Sequence, residues 1–103
     1  MTQLATRPQF YRDVAQEIEY LATKAGADTA LRWSEALDRT IQTLADHPEL
    51  GRPRPDLQPD GVRSWRLQSF RRWLVFYAVR EKTVVLLRVR YGMMDLPALN
   101  FES

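Results

Sequence analysis

Few side chains in this sequence are able to do covalent chemistry, and their types narrow the reactions open to it. There is no cysteine and one histidine, His47. Thiolate nucleophiles, disulfides, and zinc sites built from thiolates or from two imidazoles are therefore excluded. No Gly-x-Ser-x-Gly elbow presents a serine nucleophile. The four glycines, at 26, 51, 61 and 92, assemble neither a P-loop nor a dinucleotide fingerprint. Neither a cofactor nor a metal is expected. The carboxylate pairs Glu17/Glu19 and Asp56/Asp60 fall on polar helix or loop positions and read as solvated surface. His47 precedes Pro48 at an expected helix C-terminus, where an imidazolium meets the helix dipole favourably.

Arginine is the residue type in excess. Apart from Lys24 and Lys82, all fifteen cations are arginine. Residues 1–51 carry 5 basic and 8 acidic side chains, residues 52–103 carry 10 and 5, so the first half is acidic and the second basic. Arg63, Arg66, Arg71, Arg72, Arg88 and Arg90 fall on or beside strands expected to pair. Arg88 and Arg90, two apart, share a face, and Tyr91 stands beside them as an exposed contact residue. Such a cluster reads in two ways. It is a surface whose planar forks bind phosphate or carboxylate, or it is an exposed sheet face made soluble by arginine.

The elements that must position these groups follow from periodicity. A short strand is expected over residues 3–8, ended by Pro8. Phe10, Val14, Ile18, Leu21 and Ala25 then recur at three- and four-residue steps, which marks a helix over 9–25 with Asp13, Glu17 and Lys24 off its apolar face. Gly26 suits the position after a helix end, and Asp28 an N-cap. A second helix over 28–46 presents Trp33, Leu37, Ile41 and Leu44, and stops before Pro48. The short connection makes the two helices an antiparallel hairpin. Residues 47–61 hold four prolines and two glycines and are expected to form an irregular loop. From 62 to 91 the pattern alternates through three strands of an antiparallel meander, the last two joined by a tight turn at Glu81–Lys82. The middle strand is apolar on both sides, as a central strand should be, and Trp65, Trp73, Phe76 and Tyr77 read as core. Residues 92–103 are a tail. The expected fold is α+β, a helical hairpin packed on one face of a small antiparallel sheet, with 1–103 as a single domain.

At 45% hydrophobic and 27% charged, the composition belongs to a chain that folds. The longest apolar run, Trp73 to Val79, is far short of the ~18 residues of a membrane span. The N-terminus lacks the pattern of a secretory signal, so a cytoplasmic protein is expected. A net charge of +2 without a reading motif argues against a plain nucleic-acid-binding module, whose signature would be steep salt dependence.

The helical hairpin is followed by His-Pro-Glu-Leu-Gly-Arg-Pro-Arg-Pro-Asp-Leu (47–57), Ser-Trp-Arg-Leu-Gln-Ser-Phe-Arg-Arg-Trp-Leu-Val-Phe-Tyr (64–77) and Leu-Leu-Arg-Val-Arg-Tyr-Gly-Met-Met-Asp-Leu-Pro-Ala-Leu (86–99). In this order the chain resembles the RelE/ParE superfamily of toxins from about Ala5 to Leu99. The resemblance implies a type II toxin silenced by a cognate antitoxin. One branch of the superfamily cleaves messenger RNA on the ribosome; Arg72 and Arg66 match basic positions of that branch. Met93 and Met94, however, stand where that branch has cations, no tyrosine follows in the tail, and His47 is badly placed as a proton shuttle. A site that must stabilise a developing dianionic phosphate loses much with each missing cation. The hairpin, the Pro-rich loop and the Asp95-Leu-Pro-Ala-Leu ending are closer to the ParE-like branch. That branch implies a non-enzymatic poison of DNA gyrase, with Arg63, Arg66, Arg71, Arg72, Arg88, Arg90, Tyr91 and Asp95 as its target-binding residues. The resemblance leaves the mRNA endonuclease as the alternative.

Overall fold

A computed structural model describes residues 2–92. Its elements in chain order are β1 (Gln3–Thr6), α1 (Pro8–Ala25), α2 (Ala27–Asp46), a 3-10 turn (Pro48–Leu50), β2 (Arg52–Pro53), β3 (Val62–Leu67), β4 (Phe70–Arg80) and β5 (Thr83–Tyr91). Pro8 opens α1 instead of closing β1. Its fixed φ suits a first helical turn, where its missing N–H costs nothing, and Arg7 before it is extended. Gly26, at φ +98°, caps the end of α1 and the start of α2 together, a conformation that strains any residue with a Cβ. The N-cap of α2 is thus Gly26 and not Asp28. Asp28 lies in the first turn, where its carboxylate meets the helix dipole and Arg32 at 3.3 Å. His47 ends α2 as expected, its backbone N–H donating to Thr43 O.

The α+β class and the hairpin packed on the sheet are as expected, but the sheet is larger and mixed. Its order is β1-β5-β4-β3-β2. β1 runs parallel to β5, and the other neighbours are antiparallel. The Pro-rich loop is also less irregular than expected: it supplies β2, which pairs Arg52 with Ser64 and Pro53 with Arg63. The helices bury Phe10, Leu21, Trp33, Ala36, Leu37 and Leu44 against Val75, Tyr77, Val84, Leu86 and Val89. The opposite face of the sheet forms a second, smaller cluster of Val62, Phe76, Ala78, Val85 and Leu87, covered by Leu57 from the loop. β4 is therefore buried on both faces, which explains its unbroken apolar run.

Tyr77 fastens the loop to this core. Its buried hydroxyl donates to Pro48 O at 2.7 Å and accepts from the Gly51 N–H at 2.8 Å; a side chain at Gly51 would overlap the ring. Tyr77→Phe leaves both backbone groups without their partner and is expected to cost ~1–3 kcal/mol, read from a urea midpoint. Burial also pushes the Tyr77 phenol above its ordinary value near 10. A raised folded-state value means that the unfolded chain loses its proton first as pH rises. Stability from this group is complete below about pH 10 and falls above it, and this alkaline loss is expected to be smaller in Tyr77→Phe.

Candidate target-binding surface

The far end of β5 is held by a carboxylate that takes the place of a strand. β1 accompanies β5 only from Thr83 to Leu86, and its last bond runs from the Arg7 N–H to Leu86 O. The chain then turns into α1, and Asp13 fills the uncovered edge. Asp13 Oδ2 accepts from the Val89 N–H at 3.1 Å and from Arg88 Nε at 2.7 Å. Oδ1 accepts from Arg88 Nη2 at 3.1 Å and lies 3.5 Å from Arg90 Nη1. Asp13 is fully buried and Arg88 nearly so. Three residues beyond Phe10, Asp13 sits on the margin of the apolar stripe, not clear of it as periodicity suggested. With the Gln9 side-chain amide donating to Oδ1 at 3.3 Å, these partners offset the cost of burying the carboxylate.

Next to this clamp lies an aromatic platform. Trp73 pairs with Tyr91 across β4 and β5, and their rings meet edge-on with centroids 5.0 Å apart. Phe70 and Trp33 make further edge contacts with Trp73 at 6.1 and 6.4 Å. The Trp73 indole N–H donates to Glu17 Oε1 at 2.9 Å, so Glu17 is not merely a solvated residue of α1. Exposed Arg72 donates to the Tyr91 hydroxyl at 3.2 Å, and that bond raises the guanidinium further above its ordinary value.

A second cationic region opens at the other edge of the hairpin. A cleft of ≈ 510 Å³ is lined by Arg52, Arg54, Arg66 and Arg71, with Thr40, Thr43, Ser64, Trp65, Gln68 and Leu74. Arg66 Nη1 donates to Arg71 O at 2.7 Å, which lays its guanidinium across the mouth of the β3–β4 hairpin. Arg54 forks onto Asp56 at 3.0 and 2.8 Å and reaches Ser64 Oγ at 3.3 Å. Arg54 holds the exposed Asp56 carboxyl below its ordinary value, chiefly through that hydrogen bond.

The arginines expected to form one patch thus separate by task. Arg66 and Arg71 share the cleft, and Arg72 joins Tyr91 on the adjoining end of β4. Arg63 is turned to the loop, donating to Gly51 O at 2.6 Å and Glu49 O at 3.2 Å. Arg88 and Arg90 do share a direction, but it leads to Asp13 and not into a common outward patch. Asp95 lies outside the described residues. Arg52 and Arg54 were missed; the alternation of Arg and Pro over residues 52–55 was their signal. Among the described residues there is no cluster of potential metal ligands and no helix long and apolar enough to cross a membrane.

Fold and sequence together define the class. Residues 4–96 match the family described as the ParE toxin of type II toxin-antitoxin systems, parDE, and the chain belongs to that family. It is 31% identical over 101 residues to Toxin ParE3 of Caulobacter vibrioides, a match covering 92% of this chain and 90% of that protein. Among solved structures it superposes on the chromosomal ParDE TA system from P. aeruginosa with a TM-score of 0.74. That match covers 88% of this chain and 96% of the other at 20% identity, a likeness of fold.

Proposed function

We propose that this toxin arrests growth by binding DNA gyrase and stabilising its cleaved-DNA complex, and that a cognate antitoxin silences it. Membership of the ParE family supports a toxin held in check by an antitoxin. The observation that carries the reading is the make-up of the surface where the β3–β4 hairpin meets the end of β5, with Tyr91 only partly exposed there. Arg66, Arg71, Arg72 and Tyr91 bring hydrogen-bond donors and charge with no carboxylate or imidazole bonded to any of them among the described residues. Guanidinium forks of this kind recognise a macromolecule, and the RelE-like alternative would have to draw its general acid or base from the same group, where Tyr91 is the candidate. His47 Nδ1 lies 3.9 Å from Glu49 Oε1, and among the described residues no hydrogen bond joins its ring to these arginines. The antitoxin's role is to cover the hairpin and sheet surfaces.

A supercoiling assay with purified gyrase and purified toxin tests the target. The expected result is inhibition that rises with toxin and is relieved by antitoxin. Full supercoiling at excess toxin, with transcripts cut in the ribosomal A site, would favour the RelE-like endonuclease instead. Arg72→Ala removes an exposed side chain whose bond to Tyr91 is at the surface, so stability is expected to change by no more than ~0.5 kcal/mol. Growth arrest on induction is expected to weaken. Thermal melts and colony counts of the same variant check both halves of this expectation.

A further inference from the structure

The outer edge of β3 is only half covered. β2 pairs with Arg63 and Ser64 alone, and the Gln68 N–H is taken by Thr40 Oγ1 at 3.0 Å. Between them no strand accompanies Trp65 to Leu67 among the described residues. The Arg54 N–H bonds to Val62 O and Ser64 faces Arg52, so antiparallel alternation turns the Arg66 N–H outward as well, just before the pairing with β4 shifts between Arg66 and Leu67. This open edge runs through the arginine cleft, whose lining includes no carboxylate.

We propose that the β3 edge and the arginines beside it form the docking site for an acidic, extended segment of the gyrase target, added as a short strand along Trp65–Leu67. This rests on the gyrase reading above and specifies its contact. An extended peptide uses both features of the cleft: its backbone pairs with the edge at the Arg66 N–H, and carboxylates at alternate positions reach the forks of Arg52, Arg66 and Arg71. A nucleic-acid phosphate chain would engage the forks and leave the strand edge unused. The division of surface also points to the target over the antitoxin. A long-lived inhibitory partner suits apolar ground, and the helical hairpin exposes Tyr11, Tyr20 and Leu31, each more than half exposed. A cleft whose charged lining residues are all arginine suits an encounter that charge steers.

The test is binding of the full toxin to purified gyrase, with hydrogen exchange recorded at the β3 amides. Wild-type toxin is expected to bind, with slowed exchange at Arg66. Arg66→Glu combined with Arg71→Glu is expected to weaken binding by ~10-fold or more. The same charge reversal on the outer face of α1, Arg12→Glu, is expected to stay within ~2-fold. The pair Arg66→Gln with Arg71→Gln, checked by circular dichroism, supplies the same comparison if the reversed pair fails to fold. Undiminished binding by the cleft variants, or unchanged exchange at Arg66 in a gyrase complex that does form, overturns the docking site and leaves the gyrase reading standing. Equal protection of Arg66 by a bare DNA duplex makes phosphate the ligand and overturns it too. A wild-type toxin that does not bind gyrase at all overturns the functional reading itself.

Discussion

Asp13→Ala is expected to destabilise the toxin by about 3–5 kcal/mol, the range for breaking a buried ion pair from one side. The carboxylate serves one backbone N–H and two guanidinium groups at once, at 2.7–3.5 Å. Its removal leaves the Val89 N–H without its acceptor at a strand edge and deprives nearly buried Arg88 of its counter-charge. Against a total stability of ~5–15 kcal/mol for a domain, this is a large fraction. Asp13→Asn retains an acceptor oxygen and loses the charge, so its loss is expected to be smaller. Urea unfolding of the three proteins at equal ionic strength checks the order. An alanine variant within about 1 kcal/mol of wild type would mean that Arg88 and Arg90 reach water instead, and that the carboxylate is no clamp.

The second large effect is expected at Trp73. Three other rings touch it edge-on, and its indole N–H is bonded to Glu17 on α1. Trp73→Ala removes the hub of that cluster and is expected to cost about 3 kcal/mol, the lower end of the range for Trp truncation because the ring is only partly buried. Trp73→Phe keeps an aromatic ring and loses the hydrogen bond, for about 1 kcal/mol. The alanine variant also takes away the surface on which Tyr91 rests, and Tyr91 holds Arg72, so growth arrest should weaken beyond what the lost stability explains. Near-ultraviolet circular dichroism and urea titration separate the two variants. If both behave alike, the contact with Glu17 dominates and the ring packing contributes little.

Local periodicity carried much of this architecture. The steps through Phe10, Val14, Ile18 and Leu21 marked α1, and the unbroken apolar run of β4 marked the centre of the sheet, because each pattern repeats within one element. The features that escaped depend on distant partners or on very short segments. A strand was expected where β1 lies, but not its parallel pairing with a strand about eighty positions later, and β2, two residues long with one of them proline, is too short to show a period. Asp13 is 75 residues from Arg88, so no spacing rule joins them. The arginine surface was legible as a concentration of charge, but its division was not. The register of β4 and β5 shifts between Phe76 and Tyr77, and such a bulge re-aims the side chains that follow it. Arg88 and Arg90 stand just past that shift and end on Asp13, while Arg54, just beyond the two-residue β2, turned out to line the cleft.

The central claim is that exposed arginines on the β3–β4 hairpin bind a macromolecular target without performing bond chemistry. The most direct measurement is the amount of linear DNA released by detergent and protease from gyrase reactions titrated with toxin. Linear DNA should rise with wild-type toxin, fall markedly with Arg72→Ala, and fall further when Arg66 and Arg71 are also replaced. An unchanged background of linear DNA at excess, correctly folded toxin would contradict the account, as would equal trapping by the variants.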